Sequence, residues 1–528
     1  MKHLLIGAAA LALLTGCNPK DNANSNSSAP EVSLGKLTVR AGDPAKVGDA
    51  LAAMSLTDSG SGLMSFSGKT VDGATATFSD VTVTGEDGVK AGSLVFDGLD
   101  VTDGVTTFGK MSLNNIVIAD EDMGDSEVKL GNIELTNPSP ELATWLTSTL
   151  NGQEVPFPSA DKIKFDSWSM SDLSTSFSED GSDGTFGIDK IEIREMGDLK
   201  AKRAMISGFS VDAVDGESDT PIKVNLGSVT MTNVDAKFVK ALQENAGDEE
   251  ALLAAIMDVA YDDPMDPGFD SFSLDDLSIS AGGASFAMPS LVNTVERNAA
   301  GQPVKYVTKP FTMKVNADAD GGEAGAALLQ GLSMVGYESL TLKGEGSATY
   351  DPDKDIVSYS AKNNYFELVD GAKMSFGGKV EGYSAYTKDI GASFNIADMA
   401  DGAEPDPEAM MSAMGKLTFH NIEFSIDDDG LLDRSFNAIA TAQGQDPEEM
   451  KGQISMGLAM APMMAQGSGV DMDLVTEMTG ALGKFIADGG KLTIKLDPDA
   501  PLSVADIMAN PDPSAYTKAS LGFSATQK

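Results

Sequence analysis

A chain of 528 residues carries 80 Asp and Glu against 37 Lys and Arg, a formal net charge of −43, yet 41% of its residues are hydrophobic. That apolar share excludes a disordered acidic tail, and so acidic a surface excludes nucleic acid as a partner and disfavours binding to anionic lipid through a basic face. Length allows about three or four domains, and one cysteine leaves no internal disulfide to support them.

Met1-Lys2-His3 precedes an apolar run from Leu4 to Leu14, and Leu14-Thr15-Gly16-Cys17 follows. A short basic start, an apolar core and small residues at a cut describe a signal peptide over 1–16. The run falls short of the ~20 residues a bilayer span needs. The tetrapeptide resembles a bacterial lipobox, whose cysteine is lipidated and becomes the mature N-terminus, so the expected modification is lipidation of Cys17. Asn18 follows it, where Asp would be the inner-membrane retention signal known from enteric bacteria. The resemblance therefore implies an outer-membrane lipoprotein facing the periplasm or the cell surface. Residues 17–33 read as the lipidated N-terminus and a flexible tether, rich in Asn, Ser and Ala.

A repeat region is expected over 34–413. Leu34-Gly-Lys-Leu-Thr-Val, Leu130-Gly-Asn-Ile-Glu-Leu and Leu226-Gly-Ser-Val-Thr-Met share one pattern at equal 96-residue spacing. Each is expected to begin a strand that leads into a helix: Asp43-Pro44 and Ser139-Pro140 are start signals, and Asp235 caps the third. A second motif, Phe165-Asp-Ser-Trp-Ser-Met-Ser-Asp, returns at Phe269 with an offset of 104, and Tyr337-Glu-Ser-Leu-Thr-Leu is a divergent further copy. The eight extra residues fall in 236–261, read as two short helices. The strand motif returns at Met414 and Gly490. Fixed-period self-similarity signals duplication. Apolar and polar residues alternate, as at Ile133 and Leu135, and Asp72-Gly73, Asp87-Gly88 and Asp103-Gly104 read as hairpin turns.

Residues 414–528 read as a module of helices and strands. Helices are expected over 429–441, from Asp446-Pro447, and over 473–487, followed by a strand at Lys491–Leu496. Ile422-Glu-Phe-Ser-Ile, Asp429-Gly-Leu-Leu-Asp-Arg434, Asp446-Pro-Glu-Glu-Met450 and Pro501-Leu-Ser-Val-Ala-Asp-Ile507 resemble a family of uncharacterised bacterial envelope proteins. The alternating strands are also similar in pattern to AsmA-type and YdgA-type periplasmic proteins, a likeness that implies a link to envelope lipid homeostasis.

Chemistry is sparse. Beyond the leader His420 is the sole histidine, so a Cys/His metal cluster is impossible and a Ser-His-Asp triad would have to use it. The apolar phase shifts around His420, which points to a bulge at a sheet surface and a structural role. Asp351-Pro-Asp353-Lys-Asp355 has the alternation of a calcium loop but lacks its glycine and glutamate, so it reads as a polar turn, as does Asp318-Ala-Asp320. No catalytic, cofactor or metal site is assigned. Methionines crowd 450–478. Packing core is the expected job of Met456, Met460 and Met463, with a groove for lipid acyl chains as the sharper alternative.

The reading is an α+β, β-dominated fold: an elongated, mostly antiparallel sheet of repeated units with about one helix each, plus a helical C-terminal module. The expected function is non-enzymatic binding or structure in the envelope, with lipid binding or homeostasis foremost. A carboxylate-based periplasmic hydrolase and a surface scaffold without a small ligand are the alternatives.

Overall fold

The computed structural model describes residues 32–57, 60–61, 64–83, 89–119, 127–150, 152–153, 155–179, 182–216, 220–235, 263–393 and 407–528. Strand accounts for 48% and helix for 26%, so the fold is α+β with strand dominant. Two compact units divide the chain: Met1–Ile256 with Gly268–Ala281, and Met257–Pro267 with Gly282–Lys528. The expected boundary at 413/414 falls inside the second unit. Cys17, the Asp87-Gly88 turn and the two helices expected in 236–261 lie outside the described residues.

In the first unit the main strands are β1 (Gly68–Asp72), β2 (Thr75–Val83), β3 (Val89–Asp97), β4 (Lys110–Ala119), β5 (Glu127–Thr136), β6 (Phe165–Glu179) and β7 (Ser182–Gly197), each antiparallel to the next. Then come β8 (Lys200–Ser207), β9 (Phe209–Asp215), β10 (Thr220–Leu226), β11 (Ser228–Asp235) and β12 (Ser271–Ala281). β8 and β9 share one edge of β7, and β10 and β11 share one edge of β12. Each couple is one long strand broken at a glycine, Gly208 or Gly227. Two expected turns form as read: Gly73 (φ +57) joins β1 to β2, and Asp103 (φ +52) with Gly104 (φ +79) closes the ribbon Asp100–Thr102/Val105–Thr107. In the second turn, positive φ at both central residues matches strand twist.

Simple alternation does not hold along these strands. The apolar face advances by two, then three, then two residues: Ala76, Phe78, Val81, Val83 in β2, and Val89, Ala91, Leu94, Phe96 in β3. β4 repeats it with Met111, Leu113, Ile116, Ile118, and β5 with Val128, Leu130, Ile133, Leu135. At the three-residue step sits Asp80, Asn115, Asp172 or Asp276, all at φ between +51 and +57, or a glycine across from one of them. The extra residue flips the strand so that both halves keep their apolar side on the same face. Asp and Asn tolerate the left-handed region that such a bulge requires. The partner strand must then yield space. A Cβ at Gly131 would lie 2.8 Å from Cβ of Asp172, and one at Gly227 would lie 2.3 Å from Cβ of Asp276.

This line of bulges explains the repeat and corrects its reading. Leu130-Gly131 and Leu226-Gly227 are crossing points of the line, not strand starts: Leu130 is mid-strand in β5, and Leu226 ends β10. Leu34 lies in irregular chain, so its motif forms no strand. The second motif supplies the partner aspartates, Asp172 and Asp276. The duplication extends to the corners. Asn137 and Asn233 both have positive φ, and both donate to the aspartate after the motif phenylalanine, Asp166 and Asp270, the latter at 2.7 Å.

Helices α1 (Val47–Ala53) and α2 (Pro140–Leu150) pack on the apolar face. α1 begins three residues after Pro44, because Asp43 accepts from Ala45 N and holds a turn first. α2 starts at Pro140 as read, with Ser139 Oγ accepting from Leu142 N at 3.3 Å. Leu51 from α1, Met54 just after it, and Leu142 and Leu146 from α2 join Phe78, Leu94 and Phe96 in one core. Each such buried side chain contributes about 1.5–3 kcal/mol.

The second unit holds β13 (Ala284–Arg297), β14 (Pro303–Ala317), α3 (Glu323–Met334), β15 (Ser339–Asp351), β16 (Ile356–Tyr359), β17 (Tyr365–Leu368) and β18 (Ala372–Glu381). It continues with α4 (Tyr383–Ser393), α5 (Pro407–Met414), β19 (Thr418–Asp428), α6 (Leu431–Gln443), α7 (Pro447–Met464), α8 (Met472–Asp488), β20 (Gly490–Leu496) and β21 (Ser524–Gln527). Here too a long strand, β15, faces two short ones, β16 and β17. The expected C-terminal helices are present. Asp446 caps α7 by accepting from Glu448 N at 2.9 Å. Phe485 and Ala481 of α8 pack on Leu492, Phe523 and Ala525, with Leu474, Met478 and Leu482 alongside.

Candidate functional site

In the first unit the ends of β5, β6, β7, β8 and β11 meet at one edge, where Asn137, Phe165, Met196 and Asn233 lie. The irregular segment 32–40 crosses this edge and is pinned there. Gly35 N donates to Glu195 Oε1 at 2.5 Å, and Arg194 Nη2 donates to Gly35 O at 3.2 Å. Arg40 N donates to Asn137 Oδ1 at 2.8 Å, and Asn137 Nδ2 donates to Thr38 O at 2.7 Å. Segment and strand ends enclose an open cleft of about 830 Å³.

Six cations line it: Lys36, Arg40, Lys164, Arg194, Lys200 and Lys202. Three acids accompany them: Asp166, Glu195 and Asp198. The cleft is thus locally positive in a chain of net charge −43. Every acid is already held. Lys164 pairs with Asp198, Lys202 with Glu195 at 2.5 Å, and Asn137 donates to Asp166. The Lys202 bond, then the Gly35 N–H, keep the Glu195 carboxyl below its ordinary value. A general acid needs the opposite shift. Lys36 and Lys200 are exposed and have no carboxylate partner among the described residues. Arg194 Nη2 donates to Gly35 O, and among the described residues its buried Nε has no partner. The β7–β8 turn at the lip places Asp198 (φ +51) and Leu199 (φ +60) in the left-handed region, uncommon for leucine.

Behind Arg194 the sheet's polar face carries a buried network. Glu192, whose side chain is 8% exposed, bonds Lys190 Nζ at 2.9 Å and pairs with Arg203. Burial pushes its carboxyl up, but the bonds and charges of Lys190 and Arg203 outweigh this and hold it below its ordinary value. Among the described residues the buried Ser207 and Ser273 hydroxyls and Arg203 Nε have no partner there.

The residues singled out by sequence lie elsewhere. His420 sits at a register shift between β18 and β19, as its phase shift implied, with Nε2 2.9 Å from Glu381 Oε2. Asp351 pairs with Lys354 at 2.6 Å in the β15–β16 turn. Asp355 accepts from Ser384 N and Ala385 N at the start of α4. Asp318 accepts from Asp320 N, so these are polar turns. Among the described residues no three of His, Cys, Asp and Glu gather to hold a metal.

Packing core is not the role of Met456, Met460 and Met463. Met456, Met460 and Met463 are 66%, 50% and 75% exposed along α7, and only Met450 near its start is buried. The helix docks through Met450, which meets Phe436 and Ala440, and runs beside α8 with Ser455, Leu458 and Pro462 half-buried, while Met456, Met460 and Met463 stay exposed. Replacing all three with Gln is therefore expected to change stability by less than about 1 kcal/mol, read as an unchanged melting midpoint by circular dichroism. An apolar cavity of about 40 Å³ near Met64, Leu94 and Leu150 has room for little more than a water molecule and none for an acyl chain.

A family model described as "Uncharacterized protein" matches residues 365–528. No curated protein and no solved structure matches the chain. The matched stretch lies in the second unit, so the cleft is outside it. No helix among the described residues is long and apolar enough to cross a membrane.

Proposed function

We propose that this chain is a lipid-anchored protein of the bacterial envelope that binds a ligand at its strand-end cleft without transforming it. The leader and the lipobox resemblance at Cys17 support the address. One observation carries the binding role: a roomy cleft whose Lys36, Lys200 and Arg194 have uncommitted donors while its acids are all engaged. A hydrolase would need two acids, one with a raised pKa, facing across the cleft.

Sequence distance favours a ligand at the membrane. Lys36 follows Cys17 by 19 residues, and a fully extended chain of that length reaches at most about 65 Å. A cleft built from residues 35–40 thus stays near the bilayer that holds Cys17. The family resemblance of the C-terminal part to envelope proteins agrees with this address. Cys17→Ser is expected to abolish incorporation of labelled palmitate and to leave the precursor uncut. A mutant that still takes up label would overturn the anchor.

A further inference from the structure

We propose that the strand-end cleft is a receptor for a phosphate-bearing anion, with Lys36, Lys200 and Arg194 as its ligands. This rests on reading the cleft as a binding site but not on the lipid at Cys17.

The charge inventory points to an anion. The chain has fewer than half as many bases as acids, yet the cleft gathers six bases against three acids. Several lysines elsewhere pair locally, such as Lys223 with Asp212 at 2.6 Å and Lys354 with Asp351 at 2.6 Å. Lys36 and Lys200 do not, although carboxylates are abundant. Gathering unpaired ammonium groups in one cleft is unfavourable until an anion joins them.

Arginine identifies the class of anion. A guanidinium presents a planar fork of donors that matches phosphate oxygens, and it is the usual partner where phosphate is gripped at two points. Arg194 gives Nη2 to Gly35 O and its Nε is buried, so among the described residues Nη1 and the second Nη2 hydrogen are left for a ligand. Gly35 itself is fastened to Glu195, which Lys202 holds in turn, so the fork is braced before any ligand arrives. Such preorganisation lowers the cost of binding. Lys36 enters from the crossing segment and Lys200 from the start of β8, giving charge from two elements. No apolar tunnel for a tail is needed, because a headgroup would bind by its phosphate alone.

A phosphate could come from a phospholipid headgroup or from a free phosphate compound, and one titration distinguishes them. The full chain, purified in a non-ionic detergent, is titrated calorimetrically with inorganic phosphate, short-chain phosphatidylglycerol, short-chain phosphatidylcholine and acetate. Phosphate and phosphatidylglycerol should bind, with affinity falling as salt is raised. Tighter binding of phosphatidylglycerol than of phosphate supports the proposal with a headgroup as the source. Equal binding supports it with the free group as the source. Lys36→Gln with Lys200→Gln should weaken either ligand at least tenfold with no change in melting midpoint, and Arg194→Gln should weaken it as well. Lys309→Gln, an exposed lysine of the second unit, should bind as the parent does. Absence of phosphate and phosphatidylglycerol binding would overturn the proposal. So would acetate or phosphatidylcholine binding as tightly as phosphate, or a double variant that binds within twofold of the parent. The palmitate experiment is independent, so loss of the phosphate result with label retained would leave the anchor standing.

Discussion

Gly227→Val is expected to destabilise the first unit by about 3 kcal/mol, lowering its melting midpoint by roughly 6–10 °C. The added Cβ would lie 2.3 Å from Cβ of Asp276 and 2.5 Å from the Asp275 carbonyl oxygen. Neither can retreat, because Asp276 is the left-handed residue of the bulge and the Asp275 backbone is held in the ladder opposite Ser228. Valine adds two methyl groups to that clash. Gly131→Val should behave alike, since it meets Asp172 in the same way. Gly48→Ala in α1 is the contrast: nothing lies within 4 Å of its Cβ position, and the change should stabilise by about 0.5–1 kcal/mol. Thermal melts of the three variants decide. A neutral Gly227→Val would mean that the line of bulges does not govern this sheet.

Removing Glu192 should be costlier still at neutral pH. Glu192→Ala strands Lys190 and Arg203 on a face where the carboxylate is 8% exposed, and Arg203 Nε is already buried without a partner among the described residues. Breaking such a pair costs about 3–5 kcal/mol. The pH dependence follows from the depressed carboxyl. A group whose folded value lies below its ordinary 4.5 contributes fully above that pH, and loses the contribution as pH falls through the folded value. The stability gap between the parent and Glu192→Gln should therefore be full at pH 7 and shrink below about pH 4.5. Urea midpoints at pH 7, 5 and 3.5 measure it. A gap that is constant with pH would show that the carboxylate charge is not what Lys190 and Arg203 hold.

Local signals were the legible ones. Strand dominance, the Asp103-Gly104 turn, the Ser139 and Asp446 caps and the apolar stripe Leu474-Met478-Leu482-Phe485 depend on neighbours within a few residues. The duplication was visible too, but its motifs were read as strand starts. The missing signal was the three-residue step, as in Phe78 to Val81 or Leu130 to Ile133, which alternation alone treats as noise. The phase shift at His420 is the same kind of signal, and the bulge is present there. Met456, Met460 and Met463 were misread because helical spacing tells which residues share a face, not whether anything covers that face. The cleft was hidden for a different reason. Net charge averages over the chain, whereas Gly35 and Glu195 are 160 positions apart and meet only when β7 is in register with its neighbours.

Native mass spectrometry of the protein released from its membrane tests the account most directly. The account predicts a chain that begins at Cys17, heavier than its sequence by an attached lipid, with a phosphate-bearing ligand that dissociates on activation and is absent from the Lys36→Gln, Lys200→Gln variant. A chain of unmodified mass that still carries Met1, with no bound phosphate compound, would contradict it.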